Sequence, residues 1–350
     1  MAVTIDETKL HEFIGRVVGD WGGALGALLA FAGDRLGLYR AMAGAGPMTP
    51  EQLAEKTGTH PRMIREWLAA QAAGGYVTYD SGRYALPAEQ AFAMANDDSP
   101  AYIMGGYQIM ASLFQDEEKI VEAIRTGKGL GWGDHNCHLF EGTERLFRPN
   151  YVANLVSSWI PALDGVQEKL QRGIAVADVG CGHGASTILM AKAFLKSKFT
   201  GFDFHRPSIE WAQKQAEKEG VADNCSFQVA DSTDYPGQYD LVTFFDCFHD
   251  MGNPAGAAAN TLGALKKDGT WMIVEPFAHE KVEENMNPVG RLFYAVSSTI
   301  CVPASLNDNG PALGAQVSDS QLRQAVTSAG FTRFRRATQT PFNRIFEARP

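Results

Sequence analysis

From residue 174 onward, apolar positions gather into short unbroken runs, each followed by a longer stretch in which they recur every three or four residues. An unbroken run is a strand buried on both faces, and the longer stretches are helices that cover it. The expected strands are 174–179, 199–204, 226–229, 241–245 and 271–275, with a helix over 185–195 after the first. A last helix over 318–329 leads into 331–337 and 342–348, which read as a terminal antiparallel pair. Strand and helix in alternation predict an α/β fold with a doubly wound parallel sheet.

The front of the chain follows a different period. Residues 13–45 set Phe13, Ile14, Val17, Val18, Leu25, Leu28, Leu29, Leu36, Leu38 and Tyr39 at helical spacing, among glycines and alanines that permit close helix approach. An amphipathic helix pair at a terminus has little of its own to bury against, which predicts a dimerisation element and a homodimer; packing on its own domain is the alternative. Next, Thr49 caps a short helix with Pro50 at its first position, Gly58 ends it, and Thr59 caps a second helix reaching Gln71. Residues 75–86 then alternate around Asp80-Ser81-Gly82 as a β-hairpin. Helix, helix and hairpin spell a winged helix.

Residues 99–172 are helical and aromatic, broken by the glycine-rich stretch 126–133. Such a segment can line or cover a pocket, with Tyr107, Trp132, His138, Phe147 and Tyr151 as candidate substrate contacts. His135, Cys137 and His138 invite a metal reading, but their spacing fits no standard site and no metal is expected. The expected organisation is 1–98 as a helical, winged-helix-like dimerisation domain, 99–172 as a helical linker and substrate-pocket segment, and 173–350 as the sheet domain.

Charge and composition narrow the partners. The 350-residue chain has a net charge of −9 and a pI near 5.4. In the second winged-helix helix Arg62 and Arg65 stand with Glu66, and acidic residues outnumber basic ones over residues 1–100. Nucleic acid is a poor partner for such a surface, because affinity for it is built on Lys and Arg neutralising phosphates. The uncharged apolar stretch 21–33, between Asp20 and Asp34, is shorter than a bilayer requires, and no secretory signal is visible, so no membrane is expected. The five cysteines, Cys137, Cys181, Cys225, Cys247 and Cys301, are odd in number and scattered, which predicts reduced thiols in a cytoplasmic protein.

The chemistry gathers where the strands end. The first expected strand stops at Asp178-Val179-Gly180-Cys181-Gly182-His183-Gly184, a turn whose glycines supply unusual backbone angles and bring a ligand close to main-chain N–H groups. A nicotinamide-binding sheet begins in the same way, so the turn alone leaves the ligand open. The second strand ends in Asp203-Phe204-His205, where a carboxylate can accept from both ribose hydroxyls, and the third in Asp231-Ser232, where one can receive an adenine amino group. The fourth ends in Asp246-Cys247-Phe248-His249-Asp250-Met251 and the fifth in Glu275-Pro276.

On these motifs the chain resembles the class I S-adenosylmethionine-dependent methyltransferases over roughly 174–348. With its winged-helix front it is similar to the small-molecule O-methyltransferases of the caffeate and hydroxyindole type and their bacterial relatives. The resemblance implies a seven-stranded Rossmann-like sheet, S-adenosylmethionine as cofactor with S-adenosylhomocysteine as product, and a small-molecule acceptor. It places the methionine portion on Asp178, Gly180, Cys181, Gly182 and Gly184, the ribose on Asp203 beside Phe204, and the adenine on Asp231 and Ser232. Asp246 and Cys247 approach the sulfonium. The pattern of the magnesium-dependent catechol enzymes is missing, so this comparison also implies no metal.

If the accepting atom is a hydroxyl, a base must take its proton, and a histidine has the right intrinsic pKa. In the caffeate type that base sits in a Leu-His-Asp-Trp setting; here Phe248-His249-Asp250-Met251 puts Met251 where Trp is usual. His249 is the expected base or a substrate contact, with Asp250 orienting it, and Glu275, Arg291 and Tyr294 stand as further substrate contacts. A thioether, thiol or amine acceptor that needs no base is the alternative. A SAM-sensing winged-helix regulator is a reading of another class, and a SAM-binding protein without catalysis is a third.

Overall fold

The computed structural model describes residues 5–350; residues 1–4 of the expected front domain lie outside the described residues. The chain forms two compact units, one built from the front of the chain up to Phe114 together with Glu141–Pro149, the other from Gln115–Phe140 and Asn150–Pro350. The segment expected as a separate 99–172 piece is thus divided between the two.

In the front unit the expected helix pair is one helix, Glu7–Arg35, followed by the short helix Leu38–Met42. Asp6 caps the long helix through Thr8 and Lys9 N–H groups, and Gly37, at φ 68°, ends the run. Most of its glycines face open space; Gly33 is the exception, since a Cβ there would lie 2.5 Å from the Trp67 ring. That close approach seats the helix's C-terminal part on a core of Leu38, Tyr39, Met42, Leu53, Ile64, Trp67 and Leu68. Ion pairs from Arg145 and Arg40 to buried Asp34, at 2.8 and 3.5 Å, compensate its charge. The N-terminal part leaves Phe13, Ile14, Val18, Trp21, Leu25 and Leu28 exposed. By length and composition alone this helix, which contains the stretch 21–33, and the helical run Pro288–Asn307 are long and apolar enough to cross a membrane.

The winged helix forms as expected. Thr49 and Gln52 make a reciprocal capping box on Pro50–Thr57, and Gly58 closes that helix at φ 66°. The second helix, Pro61–Ala73, is capped by His60, whose Nδ1 accepts from Arg62 N–H; the expected cap, Thr59, pairs instead with the Thr57 hydroxyl at 2.8 Å. The wing is β1, Thr78–Asp80, antiparallel to β2, Arg83–Ala85.

The second unit carries a seven-stranded sheet: β3 Ala175–Val179, β4 Lys198–Asp203, β5 Cys225–Val229, β6 Tyr239–Phe245, β7 Leu265–Pro276, β8 Arg333–Gln339 and β9 Asn343–Arg349. Their order is β5-β4-β3-β6-β7-β9-β8, with β3 to β7 parallel and β9 antiparallel to both of its neighbours. The strands sit where the apolar runs lie. β7 starts earlier than its apolar run because Lys266 and Asp268, too polar to read as strand, continue its backbone directly from the helix Pro254–Ala264. Phe202, Phe244, Phe248, Trp271, Phe331 and Phe346 fill the core on one side of the sheet. The chain leaves β3 in one direction for β4 and β5, then returns to β6 on the other side of β3. That reversal opens a crevice at the carboxyl ends of the strands, where such sheets bind ligands.

Candidate active site

At the end of β3 the glycine turn folds tightly onto β4. Gly180 has φ 71°, and a Cβ there would lie 2.7 Å from the Cys247 sulfur, so only glycine fits between the turn and the end of β6. Four of the turn's amides bond inside the protein. Gly180 and Cys181 donate to the Phe202 carbonyl at 2.8 and 3.0 Å, Gly184 to the Cys181 carbonyl at 2.8 Å, and Gly182 to Asp203 Oδ2 at 2.9 Å. A phosphate site needs free N–H groups. This turn offers a ligand bare glycine surface flanked by carboxylate, a setting for a cation.

Two expected contacts are held within the protein. Asp178 is 1% exposed, and its carboxylate accepts from Ser186 and Thr187 hydroxyls at 2.6 Å each and from Thr243 at 2.9 Å. It fixes the turn from within, and burial pushes its pKa up to about 6 against those three donors. The Cys181 side chain is likewise packed inward on β4, where a Cβ on Gly201 would meet its sulfur at 2.9 Å. Asp203 is half-buried and holds its carboxylate in place through the amides of Gly182 and His205, each at 2.9 Å. Each of its oxygens keeps a lone pair for a ribose hydroxyl. Phe204 and Asp231 are exposed, and Asp231 receives the Thr233 amide and hydroxyl at 2.8 and 2.7 Å.

The ends of β6 and β7 hold the titratable groups. Asp246 takes φ 51°, a conformation rarely adopted by a non-glycine residue. Its N–H donates to the Val274 carbonyl at 2.8 Å, and its carboxylate accepts from Asn343 Nδ2 at 2.8 Å and the Tyr151 hydroxyl at 3.3 Å. Burial, then the Glu275 charge, push its pKa to about 8. The 3-10 turn Phe248–Asp250 follows and buries His249 to 3% exposure. The Nδ1–H of His249 donates to Glu275 Oε2 at 2.6 Å, and Nε2 lies 3.3 Å from the Cys301 sulfur. Burial alone would keep the ring neutral, but the Glu275 carboxylate prevails and holds its pKa well above the ordinary value. Glu275 is fully buried, and its Oε1 has no hydrogen-bond partner among the described residues.

The carboxylate that orients His249 is therefore Glu275, expected as a substrate contact, and not Asp250. Asp250 turns away and accepts from Trp132 Nε1 at 2.8 Å. Trp132 packs on Phe140 at 5.8 Å, and Phe140 stacks on His205 at 4.4 Å and on His183 of the glycine turn at 6.3 Å. The segment 132–140 thus runs from the Asp203 end of the crevice to the His249 turn. Leu130 anchors it through an N–H bond to the Pro303 carbonyl at 2.9 Å.

Of the other expected contacts, Tyr151 reaches Asp246. Tyr107 lies in the front unit, its hydroxyl 2.9 Å from that of Tyr76, and Phe147 is half-buried in the same unit. His138 opens the helix His138–Asn154, its N–H on Asn136 Oδ1 at 3.0 Å. Arg291 is exposed and Tyr294 half-buried on the helix Pro288–Val296. Cys301 and Asn343 had no sequence signal. The positive φ of Asp246 had none either, since it arises from tertiary bonds.

Residues 170–327 match the family described as a methyltransferase domain, and residues 23–96 the Rv2258c-like winged HTH domain. The chain is 31% identical over 158 residues to the ubiquinone biosynthesis O-methyltransferase of Bordetella bronchiseptica, a match spanning 44% of this chain and 60% of that protein's length. Its fold resembles that of mitomycin 7-O-methyltransferase MmcR, with TM-score 0.73, 19% identity and coverage of 98% of this chain and 100% of that one. It also resembles human N-acetylserotonin methyltransferase solved with SAM, with TM-score 0.69, 18% identity and coverage of 100% and 99%. At these identities the structural likeness is one of fold. The chain thus resembles methyltransferase domains over residues 170–327 and the Rv2258c-like winged HTH domain over residues 23–96.

Proposed function

We propose that the protein transfers a methyl group from S-adenosylmethionine to a hydroxyl of a small-molecule acceptor, with His249 as the general base. The observation that carries this reading is the buried Glu275–His249 pair at 2.6 Å, at the carboxyl ends of strands that also hold the glycine turn. The cofactor's fit rests on that turn, whose Gly180 leaves no room for a side chain, and on Asp203 beside it. When bound, the cofactor supplies an electrophilic methyl on a sulfonium. Asp203 would hold the ribose, Asp231 and Ser232 would receive the adenine, and Asp246 and Cys247 would approach the sulfonium.

The protein's own residues then do two things. They align the acceptor for in-line attack, which supplies most of the rate, and they remove its proton. Glu275 fixes the tautomer in which Nε2 carries the lone pair, and it stabilises the imidazolium that forms as the acceptor's proton moves to Nε2. Trp132 and Tyr151, hydrogen-bonded to Asp250 and Asp246, provide aromatic surface for a planar acceptor.

Three further expectations belong to this reading. The exposed apolar face of Glu7–Arg35 docks a second copy of the chain, making a homodimer. A bilayer would have to extract the C-terminal part of that helix from its seat on Trp67. The winged helix does not read DNA, because Arg62 and Arg65 are paired with Glu66 and Glu51 at 2.6 Å each. The five free cysteines suit a reducing cytoplasm. The reading is tested by incubating the protein with methyl-labelled S-adenosylmethionine and a metabolite extract, then repeating with His249→Ala. Label should enter a small molecule as an ether, and the variant should lose about 10²-fold or more in turnover. Label on sulfur or nitrogen, or unchanged turnover in the variant, overturns the base assignment.

A further inference from the structure

We propose that Cys301 is a positioning residue of this site: its sulfur holds His249 by the nitrogen that takes the acceptor's proton, and it marks the place the acceptor's hydroxyl occupies during turnover. The inference rests on the reading of His249 as the base. Glu275, His249 and Cys301 stand in a row, with Oε2 to Nδ1 at 2.6 Å and Nε2 to Sγ at 3.3 Å, and all three are buried. A carboxylate only accepts, so Nδ1 bears the hydrogen and Nε2 of the neutral ring presents its lone pair to the thiol. The ring is gripped from both edges.

The contact is built and not incidental. Cys301 ends the π turn Ser297–Cys301, a widened helical turn of the sort that recurs at functional sites. The two turns are sewn together by a third segment: Gly314 N–H donates to the His249 carbonyl at 3.1 Å, and Ala315 N–H to Ser297 Oγ at 3.1 Å. Ser305 adds a bond from its hydroxyl to the Met251 carbonyl at 2.8 Å. A thiol is a weak donor. It keeps the imidazole in place while the site is empty of acceptor, and it yields to a hydroxyl, whose bond to nitrogen is stronger. Glu275 and Cys301 touch the ring, and Asp246 and Asp250 act on it through space.

The test is an NMR titration of the imidazole Cε1–H resonances in the full chain without cofactor or acceptor, with the His249 signal assigned by its loss in His249→Gln. Because the thiol's bond to Nε2 favours the neutral ring, Cys301→Ala and the shape-conserving Cys301→Val should both raise the His249 midpoint by about half a pH unit or more. Cys301→Ser should restore it, and should raise KM with little change in kcat, because its hydroxyl holds Nε2 against the acceptor more firmly. Midpoints in Cys301→Ala and Cys301→Val equal to the wild type overturn the proposal. Undiminished turnover in His249→Gln overturns the base reading instead, whatever the titration shows, so the two failures are separable.

Discussion

Glu275→Gln removes a charge from the base's partner and leaves its shape. In the wild type the 2.6 Å contact joins a fully buried carboxylate to a ring that is 3% exposed, so little solvent screens it. A hydrogen bond to a charged group contributes about 1.5–3 kcal/mol net, and this one strengthens as the imidazolium forms. If that contribution is realised in the transition state, the pH-independent rate should fall by about 10- to 150-fold. The acid limb moves as well. Glu275 raises the His249 pKa, so the climb of kcat/KM with pH should lie above the range of an ordinary histidine. Without the charge the pKa falls and the limb shifts to lower pH, which partly offsets the loss in acid. The ratio of wild-type to variant kcat/KM should therefore grow with pH, measured by transfer of labelled methyl at fixed ionic strength. Asp250→Asn, which alters a bond to Trp132, should move the limb less. A ratio that stays constant across pH, or a variant with the wild-type plateau, would show that Glu275 does not act through His249.

Gly180→Ala forces a Cβ to within 2.7 Å of the Cys247 sulfur at a φ of 71°, and should weaken S-adenosylmethionine binding about tenfold or more by calorimetry, as expected for strain of roughly 1–3 kcal/mol. Thr243→Val deprives the Asp178 carboxylate of one of its hydroxyl donors and should cost about 1–3 kcal/mol in denaturant melts at pH 7. Burial pushes the Asp178 pKa up from the ordinary 3.8 to about 6, so the folded state binds the extra proton between those values. Stability from this group falls as pH rises through that window, and the Thr243→Val deficit should be smaller at pH 4 than at pH 7. Leu25→Glu with Leu28→Glu puts charge on the exposed face of the N-terminal helix and should convert a homodimer to a monomer in light scattering; an unchanged mass, or a monomeric wild type, removes the dimer.

The sheet was legible because its strands are apolar on both faces and each stops at a polar residue that has work to do at the carboxyl end. The wing and its helices were legible through caps and turns. What escaped depended on partners distant in sequence. The hydroxyl donors to Asp178 come from the next helix and from the neighbouring strand. Asp250, adjacent to His249 in the chain, was the natural choice to orient it, yet the 3-10 turn swings it to Trp132 and leaves the ring to Glu275. The glycines of the N-terminal stretch suggested close helix approach, yet only Gly33 makes one; most of the others in that helix meet nothing. The glycine turn and the strand ends point to the cofactor class; only geometry groups His249 with Glu275 and Cys301.

The last strand has a consequence for timing. β9 runs antiparallel between β7 and β8, and its first residue, Asn343, grips the strained Asp246 through a 2.8 Å bond. A ribosome-bound chain that has emerged only through β7 already owns the glycine turn, His249 and Glu275, but β7 still has an open edge and Asp246 lacks its clasp. Closure of that edge and the clasp on Asp246 thus arrive together, in the strand that follows β8.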